Sequence, residues 1–301
     1  MIPAALLALA LALLGAARHP VPVNLRSTNF TTTDGASLHV LEAGQGRPGQ
    51  PVIAFVPGWS MPASIWRRQL EALSATHRVV ALDPRGQGGS EIAPGGYTTE
   101  RRAEDIHEFV ARYAPVVLVT WSLGSLEALQ YVHAHGESAL SALVIVDSSV
   151  GEGPAPPPHA AGAGGVREDG FQAELRRDRA GVLEAFVRSM FRTPQPEADI
   201  VALRDGALRM PLEASLSLFP GERIARERWR TVAQRIEKPM LYAVTPQFAV
   251  QAASLKQNRP ATQVEVFEAA GHALFVDEHA RFSAMLVEFI AQAAPRPAQT
   301  D

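Results

Sequence analysis

The segment 116–131 restricts the possible folds of this sequence more than any other stretch. It begins as an unbroken apolar run, which is typical of a β-strand buried on both faces. It continues with Leu126, Leu129 and Val132 near helical spacing, so a helix follows the strand after a very short turn. Ser122 lies in that turn. A strand that breaks sharply into a helix lifts the central side chain out of the sheet, near a helix N-terminus where free N–H groups stabilise negative charge.

This turn resembles the pattern G-x-S-x-G, in which a strained turn exposes a nucleophilic serine. Gly124 supplies the second glycine of the pattern, whereas Thr120 replaces the first. A serine at the start of a helix also acts as an ordinary N-cap. The motif alone therefore leaves two roles open for Ser122, a reactive role and a purely structural one.

Composition excludes several kinds of chemistry and partner. The 301 residues fit one large domain with an insertion, and the net charge of −3 with no run of Lys or Arg argues against a nucleic-acid partner. The absence of cysteine excludes disulfides and thiolate nucleophiles. No His, Asp or Glu cluster has the spacing of a metal site, so we predict neither a metal nor another cofactor. The oligomeric state is left open.

The N-terminal segment predicts export. A continuous apolar block covers 4–17, which is shorter than the roughly 20 residues of a membrane-spanning helix and fits the apolar part of a secretory signal. Gly15 and Ala17 supply small residues before a cleavage site. We therefore expect a signal peptide over 1–17, a secreted or periplasmic protein and no stable membrane span after cleavage. A core helix or an uncleaved membrane anchor is the alternative.

Strands and helices alternate along most of the chain. Besides the run at 116, apolar strand patterns cover 51–56, 78–82, 139–146, 239–244 and 263–267. Strands that alternate with helices imply a mostly parallel sheet covered on both faces, in which ligands bind at the carboxyl ends of the strands. Trp59, Ser122 and Asp147 all follow such ends.

The alternation stops between 151 and 235. A Gly-, Pro- and Ala-rich stretch over 151–165 predicts a linker or mobile loop, and the apolar periodicity over 171–191 predicts one amphipathic helix. Shorter helices complete a cap over the strand ends. The predicted division of the chain is a core of 18–150 and 236–294, a helical cap of 151–235 and a disordered tail of 295–301.

Four signatures in the same order carry a resemblance to a known family. They are Pro57-Gly-Trp59, Asp83-Pro-Arg-Gly-Gln-Gly-Gly-Ser90, Trp121-Ser-Leu-Gly124 and Gly271-His-Ala-Leu-Phe275. Together they resemble the α/β-hydrolase superfamily over about residues 29–294. In motif the chain is most similar to bacterial serine carboxylesterases, among them pimeloyl-carrier-protein methyl esterases, and to cofactor-free haloperoxidases. The resemblance implies a mostly parallel sheet flanked by helices, with a helical cap inserted before the last two strands.

The resemblance also assigns roles to individual residues. It implies that Ser122 is the nucleophile and that His272, in a Gly-His turn after the last strand, is the general base. The backbone N–H groups of Trp59 and Leu123 would form the oxyanion hole. The side chains of Trp59 and Trp121 are expected to bind substrate, although core packing is an equal alternative for Trp59. The other histidines in strand or helix settings, including His39, suggest surface or capping roles.

Two departures from the family pattern affect these expectations. Pro57 stands where the family usually has a histidine, which concerns loop geometry more than chemistry. The turn at 245–248, where the family usually has its acid, contains no carboxylate. Some family members place the acid one strand earlier, which is the position of Asp147. Asp147 is therefore the predicted triad acid, a structural capping role is its alternative, and Glu152 and Glu268 are more distant candidates for the acid.

The predicted function follows from these roles. We expect hydrolysis of a small-molecule carboxylic ester, with lactones and thioesters as related substrates, through an acyl intermediate on Ser122. A C–C hydrolase or perhydrolase using the same residues is the enzymatic alternative. A ligand-binding protein that kept the fold without turnover is the alternative outside catalysis. The glycine-rich loop at 83–90 lacks the Lys-Ser/Thr ending of a phosphate-binding loop, so we interpret it as structural.

Overall fold

The computed structural model describes residues 24–153, 168–219 and 222–293. The predicted signal peptide (1–17) and the predicted tail (295–301) lie outside these residues. The described part of the chain contains one eight-stranded sheet. Its strands are β1 (Arg26–Thr31), β2 (Ser37–Ala43), β3 (Val52–Val56), β4 (Val79–Asp83), β5 (Val116–Trp121), β6 (Leu140–Val146), β7 (Met240–Val244) and β8 (Gln263–Val266).

The strand order is β1-β2-β4-β3-β5-β6-β7-β8. The two pairs at one end of the sheet, β1 with β2 and β2 with β4, are antiparallel. All other neighbouring pairs are parallel. Parallel strands end at the same edge of a sheet, so the carboxyl ends of β3 to β8 share one edge. This arrangement confirms the predicted α/β fold with a mostly parallel sheet.

The sequence explains the central and terminal strands differently. Every residue of β4, β5 and β7 is buried, as unbroken apolar runs predict for parallel strands covered on both faces. The first two strands, β1 and β2, form a hairpin at one end of the sheet. Its turn contains Gly35 at a φ of +92°, a conformation that glycine adopts without steric cost, and the Thr32 N–H donates to the Ala36 carbonyl.

Helices flank the sheet. Helix α2 packs on α3, and α1 packs on α11. Within the described part of the chain, no helix is both long enough and apolar enough to cross a membrane. The helices are α1 (Arg67–Leu73), α2 (Thr99–Tyr113), α3 (Leu123–His135), α4 (Glu168–Arg177), α5 (Arg179–Ser189), α6 (Glu197–Arg209), α7 (Leu212–Ser217), α8 (Glu222–Arg235), α9 (Ala249–Asn258), α10 (Leu274–Asp277) and α11 (His279–Ala293).

Helices α4 to α8 lie between β6 and β7, in the segment where the sequence predicts a cap. The prediction of one helix over 171–191 is wrong, because α4 ends at Arg177 and α5 begins at Arg179. Asp178 separates them and caps α5, with its carboxylate accepting the Gly181 N–H at 3.0 Å. The apolar periodicity continues across this break, so periodicity alone did not reveal it.

Candidate active site

Ser122 lies in the turn between β5 and α3, as the sequence predicts. Its φ is +53°, a value that L-residues rarely adopt. The turn is held because the Ser122 N–H donates to the Val146 carbonyl at 3.1 Å. Gly124 has to be glycine here, because a Cβ on it would collide with the Pro57 carbonyl oxygen. The hydroxyl-bearing side chain is therefore presented at the N-terminus of α3.

Thr120 occupies the position of the missing first glycine and is fully buried. Its Oγ1 lies 3.1 Å from the Val144 carbonyl oxygen and 3.0 Å from the Ser125 Oγ. It therefore donates to the carbonyl and accepts from the Ser125 hydroxyl. Since its polar group is satisfied, threonine fits this position without disturbing the turn.

Ser122, His272 and Asp147 form one line of hydrogen bonds. The His272 Nε2 lies 3.0 Å from the Ser122 Oγ, and the His272 Nδ1 lies 2.7 Å from the Asp147 Oδ2. The His272 side chain is 24% exposed, whereas that of Asp147 is fully buried. A buried carboxylate on Nδ1 leaves Nε2 as the acceptor that faces the serine hydroxyl. The structure thus brings together the three residues that the sequence predicts as nucleophile, base and acid.

Asp147 is supported from the turn where the family usually has its acid. The Thr245 N–H and the Thr245 hydroxyl both donate to the Asp147 Oδ1, each at 2.7 Å. With His272 on the other oxygen, both oxygens of the carboxylate have partners. Thr245 therefore contributes hydrogen bonds to the carboxylate of the preceding strand instead of a carboxylate of its own.

The two more distant candidates for the acid have other surroundings. Glu152 is buried and accepts hydrogen bonds from Gln234, Ser254 and Asn258. Although burial opposes ionisation, these hydrogen bonds hold the pKa of Glu152 below its ordinary value. Glu268 is exposed. The carboxylate beside the His272 ring is that of Asp147.

The hydroxyl of Tyr242 on β7 bonds to the residue that follows Asp147. Its side chain is fully buried, and its hydroxyl donates to the Ser148 carbonyl at 2.5 Å. Burial, together with the negative charge of Asp147, raises the pKa of Tyr242 well above its ordinary value. The phenol therefore stays protonated and holds the chain directly after Asp147.

Trp121 supports the loop that carries His272. Its indole Nε1 donates to the His272 carbonyl at 2.9 Å, and its ring centroid lies 5.0 Å from that of His272. The side chain also packs edge-on against Phe275. Because Trp121 is only 1% exposed, it offers no surface to a substrate, and the predicted substrate-binding role is corrected to a supporting one.

The backbone after His272 is bonded directly to the cap, and the backbone before it is linked to the cap through Asp277. The Ala273 N–H donates to the Met190 carbonyl at 2.9 Å. The Gly271 N–H donates to the Asp277 carboxylate at 2.8 Å, and that carboxylate also accepts the N–H groups of Arg192 and Thr193. The residues after α5 therefore join the cap directly to the His272 loop.

The two predicted oxyanion donors lie beside Ser122. Leu123 is the first residue of α3, so its N–H has no acceptor within the helix. Trp59 follows Gly58, which approaches Ser122 so closely that a Cβ on Gly58 would lie 2.9 Å from the Ser122 Cβ. Gly58 and Met61 close a turn, in which the Met61 N–H donates to the Gly58 carbonyl at 3.3 Å.

Backbone strain is concentrated at the same place. In the described ranges, the non-glycine residues with positive φ are Ser60 at 57°, Ser122 at 53° and Asp147 at 40°. Each such residue costs roughly 1–3 kcal/mol, and such residues cluster at functional sites. Here they lie in the turn that carries Trp59, at the predicted nucleophile and at the predicted acid.

The Trp59 side chain forms a contact between the core and the cap. Its indole Nε1 donates to the Ser215 carbonyl at 2.7 Å. Its ring lies 5.9, 5.5 and 5.1 Å from those of Phe171, Phe186 and Phe219. The side chain is 7% exposed. The structure shows packing for this ring, and a contact with substrate stays a prediction.

A second Ser–His–Asp arrangement was not predicted from the sequence. The His39 Nε2 lies 2.5 Å from the Ser27 Oγ, and the His39 Nδ1 lies 2.7 Å from the Asp83 Oδ2. His39 and Asp83 are direct partners in the β2–β4 register, and Ser27 lies on the adjacent strand β1. We call this set the Ser27 arrangement and the set of Ser122, His272 and Asp147 the Ser122 arrangement.

Fold and site together define an enzyme of the hydrolase class. The sequence profile of the alpha/beta hydrolase family matches residues 53–285. The chain belongs to the alpha/beta hydrolase family, and it is a hydrolase. The predicted resemblance is therefore confirmed. Across the residues that the structure describes, no group of three or more His, Asp or Glu side chains is placed to hold a metal ion.

Individual relatives include esterases and a peroxidase. The chain is 28% identical to the pimeloyl-[acyl-carrier protein] methyl ester esterase of Vibrio cholerae over 272 residues, which cover 84% of this chain and 98% of that protein. It is 33% identical to a non-heme chloroperoxidase of Kitasatospora aureofaciens over 121 residues, 39% of this chain and 42% of that protein. The solved structure of an esterase from Exiguobacterium antarcticum superimposes with a TM-score of 0.72 at 22% identity, covering 88% of this chain and 99% of that one. This last likeness concerns the fold alone.

Proposed function

We propose that this hydrolase cleaves carboxylic esters through an acyl intermediate on Ser122. The observation that carries the proposal is the unbroken line of hydrogen bonds from the Ser122 Oγ through His272 to the buried Asp147. Such a line supplies a nucleophile, a general base and a group that fixes the tautomer of the base. Because Ser122 directly precedes α3, free N–H groups at the start of this helix can donate hydrogen bonds to the oxyanion that forms when the ester carbonyl becomes tetrahedral.

The first half of the reaction forms the acyl enzyme. The Ser122 Oγ attacks the ester carbonyl while its proton passes to the His272 Nε2. The carbonyl oxygen becomes an oxyanion, which accepts hydrogen bonds from the N–H groups of Trp59 and Leu123. The carbonyl then re-forms, the bond to the alcohol oxygen breaks, and His272 returns the proton to the leaving alcohol.

The second half repeats these steps with water. His272 removes a proton from the water that attacks the acyl carbonyl, and the same two N–H groups hold the second oxyanion. Collapse releases the acid and restores the Ser122 hydroxyl. Asp147 stabilises the imidazolium that forms twice in the cycle.

The substrate class is a small-molecule carboxylic ester. Support comes from the relative in Vibrio cholerae, a methyl ester esterase that aligns over 84% of this chain. Lactones and thioesters present the same carbonyl carbon to the Ser122 Oγ and belong to the proposed range. The ring cluster around Trp59 favours an apolar group next to the carbonyl.

Reaction with a fluorophosphonate tests the proposal directly, with intact mass as the measurement. We expect one adduct on the wild-type protein and none on Ser122→Ala. Ser27→Ala is the matched control, because Ser27 also bonds to a histidine, and it should still gain one adduct. Unreactive wild-type protein, or an adduct that persists in Ser122→Ala, would contradict the proposal.

A second reaction on the same serine has some support. The match with a non-heme chloroperoxidase suggests that hydrogen peroxide can replace water in the second half. Attack of peroxide on the acyl carbonyl, with its proton taken by His272, releases a peracid and the free serine. Product analysis at rising peroxide concentration separates the two reactions. A peracid fraction that grows with peroxide supports this second activity, and acid as the sole product argues against it.

We also propose that residues 1–17 are a cleaved export signal and that the protein is secreted or periplasmic. Support comes from the apolar block at 4–17 and the small residues Gly15 and Ala17. Expression of the full chain in a Gram-negative host tests this, with fractionation and intact mass as readouts. Leu11→Arg should retain the full-length mass in the cytoplasm, whereas Leu11→Ile should not. A full-length wild-type chain in the membrane fraction would indicate an anchor.

A further inference from the structure

Gln87 joins the turn that carries Trp59 to the loop after β4. It is fully buried and lies in the glycine-rich loop at 83–90, for which we predict a structural role. Its amide Nε2 donates to the Gly58 carbonyl at 3.1 Å and to the Met61 carbonyl at 2.7 Å. Its Oε1 accepts from the Arg102 Nη1 at 3.1 Å. One side chain therefore uses both amide protons and its oxygen.

The orientation of this amide follows from the chemistry of its partners. The two carbonyl oxygens can only accept hydrogen bonds, and a guanidinium can only donate them. The NH₂ group of Gln87 must therefore face Gly58 and Met61, and its oxygen must face Arg102. A rotated amide would place its one oxygen against both carbonyl oxygens and its NH₂ group against the guanidinium N–H of Arg102.

The Gly58 carbonyl shares a peptide unit with the N–H of Trp59. The unit is planar, and Gly58–Trp59 is a trans bond, so its C=O and N–H point in opposite directions. A donor that fixes the carbonyl oxygen on one side therefore fixes the direction of the N–H on the other. Gln87 contacts the oxygen at one end of this unit, and the proposed oxyanion donor is at the other end.

The same set of contacts continues to the helix that carries the second donor. Arg102 pairs through its Nη2 with the Glu127 carboxylate at 3.2 Å, and both side chains are 1% exposed. Glu127 lies on α3, whose first residue is Leu123. Gln87, Arg102 and Glu127 therefore link the peptide unit before Trp59 to the helix that begins at Leu123.

We propose that Gln87 is a positioning residue for ester hydrolysis, which aims the Trp59 N–H at the oxyanion by holding the Gly58 carbonyl. This inference rests on the proposed function of Ser122. Gln87 touches neither substrate nor Ser122, and it acts through the peptide unit. Its effect therefore falls on the tetrahedral state, where negative charge reaches the carbonyl oxygen, and not on binding of the neutral ester.

Two substitutions remove the amide donors in different ways. Gln87→Met keeps the length of the side chain and removes all of its polar contacts. Gln87→Glu keeps the shape and the contact with Arg102 but places a carboxylate oxygen where the NH₂ group was. The matched control is Gln69→Met, because Gln69 is also fully buried and donates its Nε2 to a carbonyl, that of Phe275 at 2.6 Å.

The readouts are kcat, KM and the affinity for a trifluoromethyl ketone. The Ser122 oxygen adds reversibly to the carbonyl carbon of this ketone, and the hydroxyl proton of Ser122 moves to His272. The ketone oxygen becomes an oxyanion and occupies the proposed oxyanion hole. We expect each Gln87 variant to lose about 10- to 100-fold in kcat and a similar factor in ketone affinity, with KM changed by less than about threefold. Gln69→Met should lower the melting temperature with kcat and ketone affinity within about twofold of wild type.

Each outcome has a distinct meaning. Folded Gln87 variants that resemble Gln69→Met in kcat and ketone affinity would overturn the inference and leave the proposed function intact. Equal losses in 1/KM and kcat would also overturn it, since they indicate a general disturbance of the site. Wild-type protein that neither hydrolyses esters nor binds the ketone would overturn the proposed function and the inference with it. If one Gln87 variant fails to fold, the other decides between these outcomes.

Discussion

The two Ser–His–Asp arrangements of this molecule share their hydrogen-bond pattern and differ in the backbone around the serine. In both, the aspartate follows or ends a strand and contacts the histidine Nδ1 at 2.7 Å. In both, the Nε2 faces a serine hydroxyl, at 3.0 Å in the Ser122 arrangement and 2.5 Å in the Ser27 arrangement. The order of side chains alone does not distinguish them.

The difference lies in what surrounds the serine oxygen. Ser122 has a positive φ and precedes the free N–H groups at the start of α3. Ser27 is exposed on β1 at the end of the sheet, where its backbone pairs with β2. Successive N–H groups of a strand point in alternating directions, so they do not converge on one oxyanion as the first N–H groups of a helix do. We therefore expect a reactive serine at Ser122, which has the strained turn and the helix N-terminus, and not at Ser27.

The aspartates also serve different neighbours. Asp83 accepts hydrogen bonds from the N–H groups of Ala63 and Gly89 besides His39, so it fixes the segments that follow β3 and β4. Asp147 accepts from Thr245 and His272. We expect the Ser27 arrangement to contribute to stability and the Ser122 arrangement to contribute to turnover, and four predictions test this division.

The largest contrast concerns the two serines. Ser122→Ala should lower kcat by about 10⁴-fold or more, because the nucleophile is lost while the fold is kept. Ser27→Ala should leave kcat within about twofold, because Ser27 lies on strand β1 and not at a helix N-terminus. Steady-state hydrolysis of a chromogenic ester measures both. A large loss of activity in Ser27→Ala would show that the two arrangements are not separate in function.

The two aspartates should differ nearly as much. Asp147→Asn should lower kcat by about 10³- to 10⁴-fold, because the amide no longer holds His272 in the required tautomer. Asp83→Asn should lower kcat by less than about tenfold. The measurement is kcat at a pH where the wild type is fully active, with circular dichroism to check folding. A loss below tenfold in Asp147→Asn would identify a different acid.

Glu127 is a third buried carboxylate and differs from Asp147 and Asp83, because only one of its two oxygens accepts a hydrogen bond. The Glu127 Oε1 has no hydrogen-bond partner among the described residues. Burial raises the pKa of Glu127 from its ordinary 4.5 to about 7, against the opposing effect of Arg102. Between these two values Glu127 binds more protons in the folded chain than in the unfolded chain, so its contribution to the free energy of unfolding falls as the pH rises and levels off above pH 7.

Glu127→Gln removes this titration. The decline of the free energy of unfolding between about pH 4.5 and 7 should shrink by about 1–3 kcal/mol relative to wild type. Urea denaturation at a series of pH values measures it. Glu152→Gln is the matched control with the opposite sign, since the pKa of Glu152 is lowered and its stabilising effect is lost as the pH falls. Parallel curves for wild type and Glu127→Gln would contradict this prediction.

The smallest expected effect is the contribution of the Ser27 arrangement to stability. Asp83→Asn should lower the free energy of unfolding by about 1–2 kcal/mol. The NH₂ group of the asparagine would face N–H groups that now donate hydrogen bonds to the Asp83 carboxylate. Ser27→Ala should lower it by less than about 0.5 kcal/mol, since Ser27 is exposed. Urea denaturation at pH 7 measures both. A larger loss in Ser27→Ala than in Asp83→Asn would reverse the assigned order.

The sequence predicts the sheet and the residues of the Ser122 arrangement because both depend on local patterns. The apolar runs determine the strands, and the turns after β5, β6 and β8 carry Ser122, Asp147 and His272. The parallel sheet then brings these turns to one edge. The roles of these residues in catalysis stay predictions, whereas the fold is confirmed.

The features that sequence reasoning missed depend on contacts between distant segments. Gln87 bonds to carbonyls 29 and 26 residues away, and backbone carbonyls leave no trace in a sequence pattern. The Ser27 arrangement depends on the register of β1, β2 and β4, which the hairpin turn alone does not determine. The direction of the Trp121 side chain follows from its contacts with the His272 carbonyl and Phe275, which are 151 and 154 residues away in the chain and leave no local pattern in the sequence.

The junction between the cap and the His272 loop limits how this enzyme can be redesigned. A designer who exchanges α4 to α8 for the lid of another protein would also remove the Met190 carbonyl and the Arg192 and Thr193 N–H groups that hold Ala273 and Asp277. The exchange would therefore loosen the loop that carries His272, the predicted general base. A design that keeps residues 190–193 would keep these contacts with the loop that carries the predicted general base.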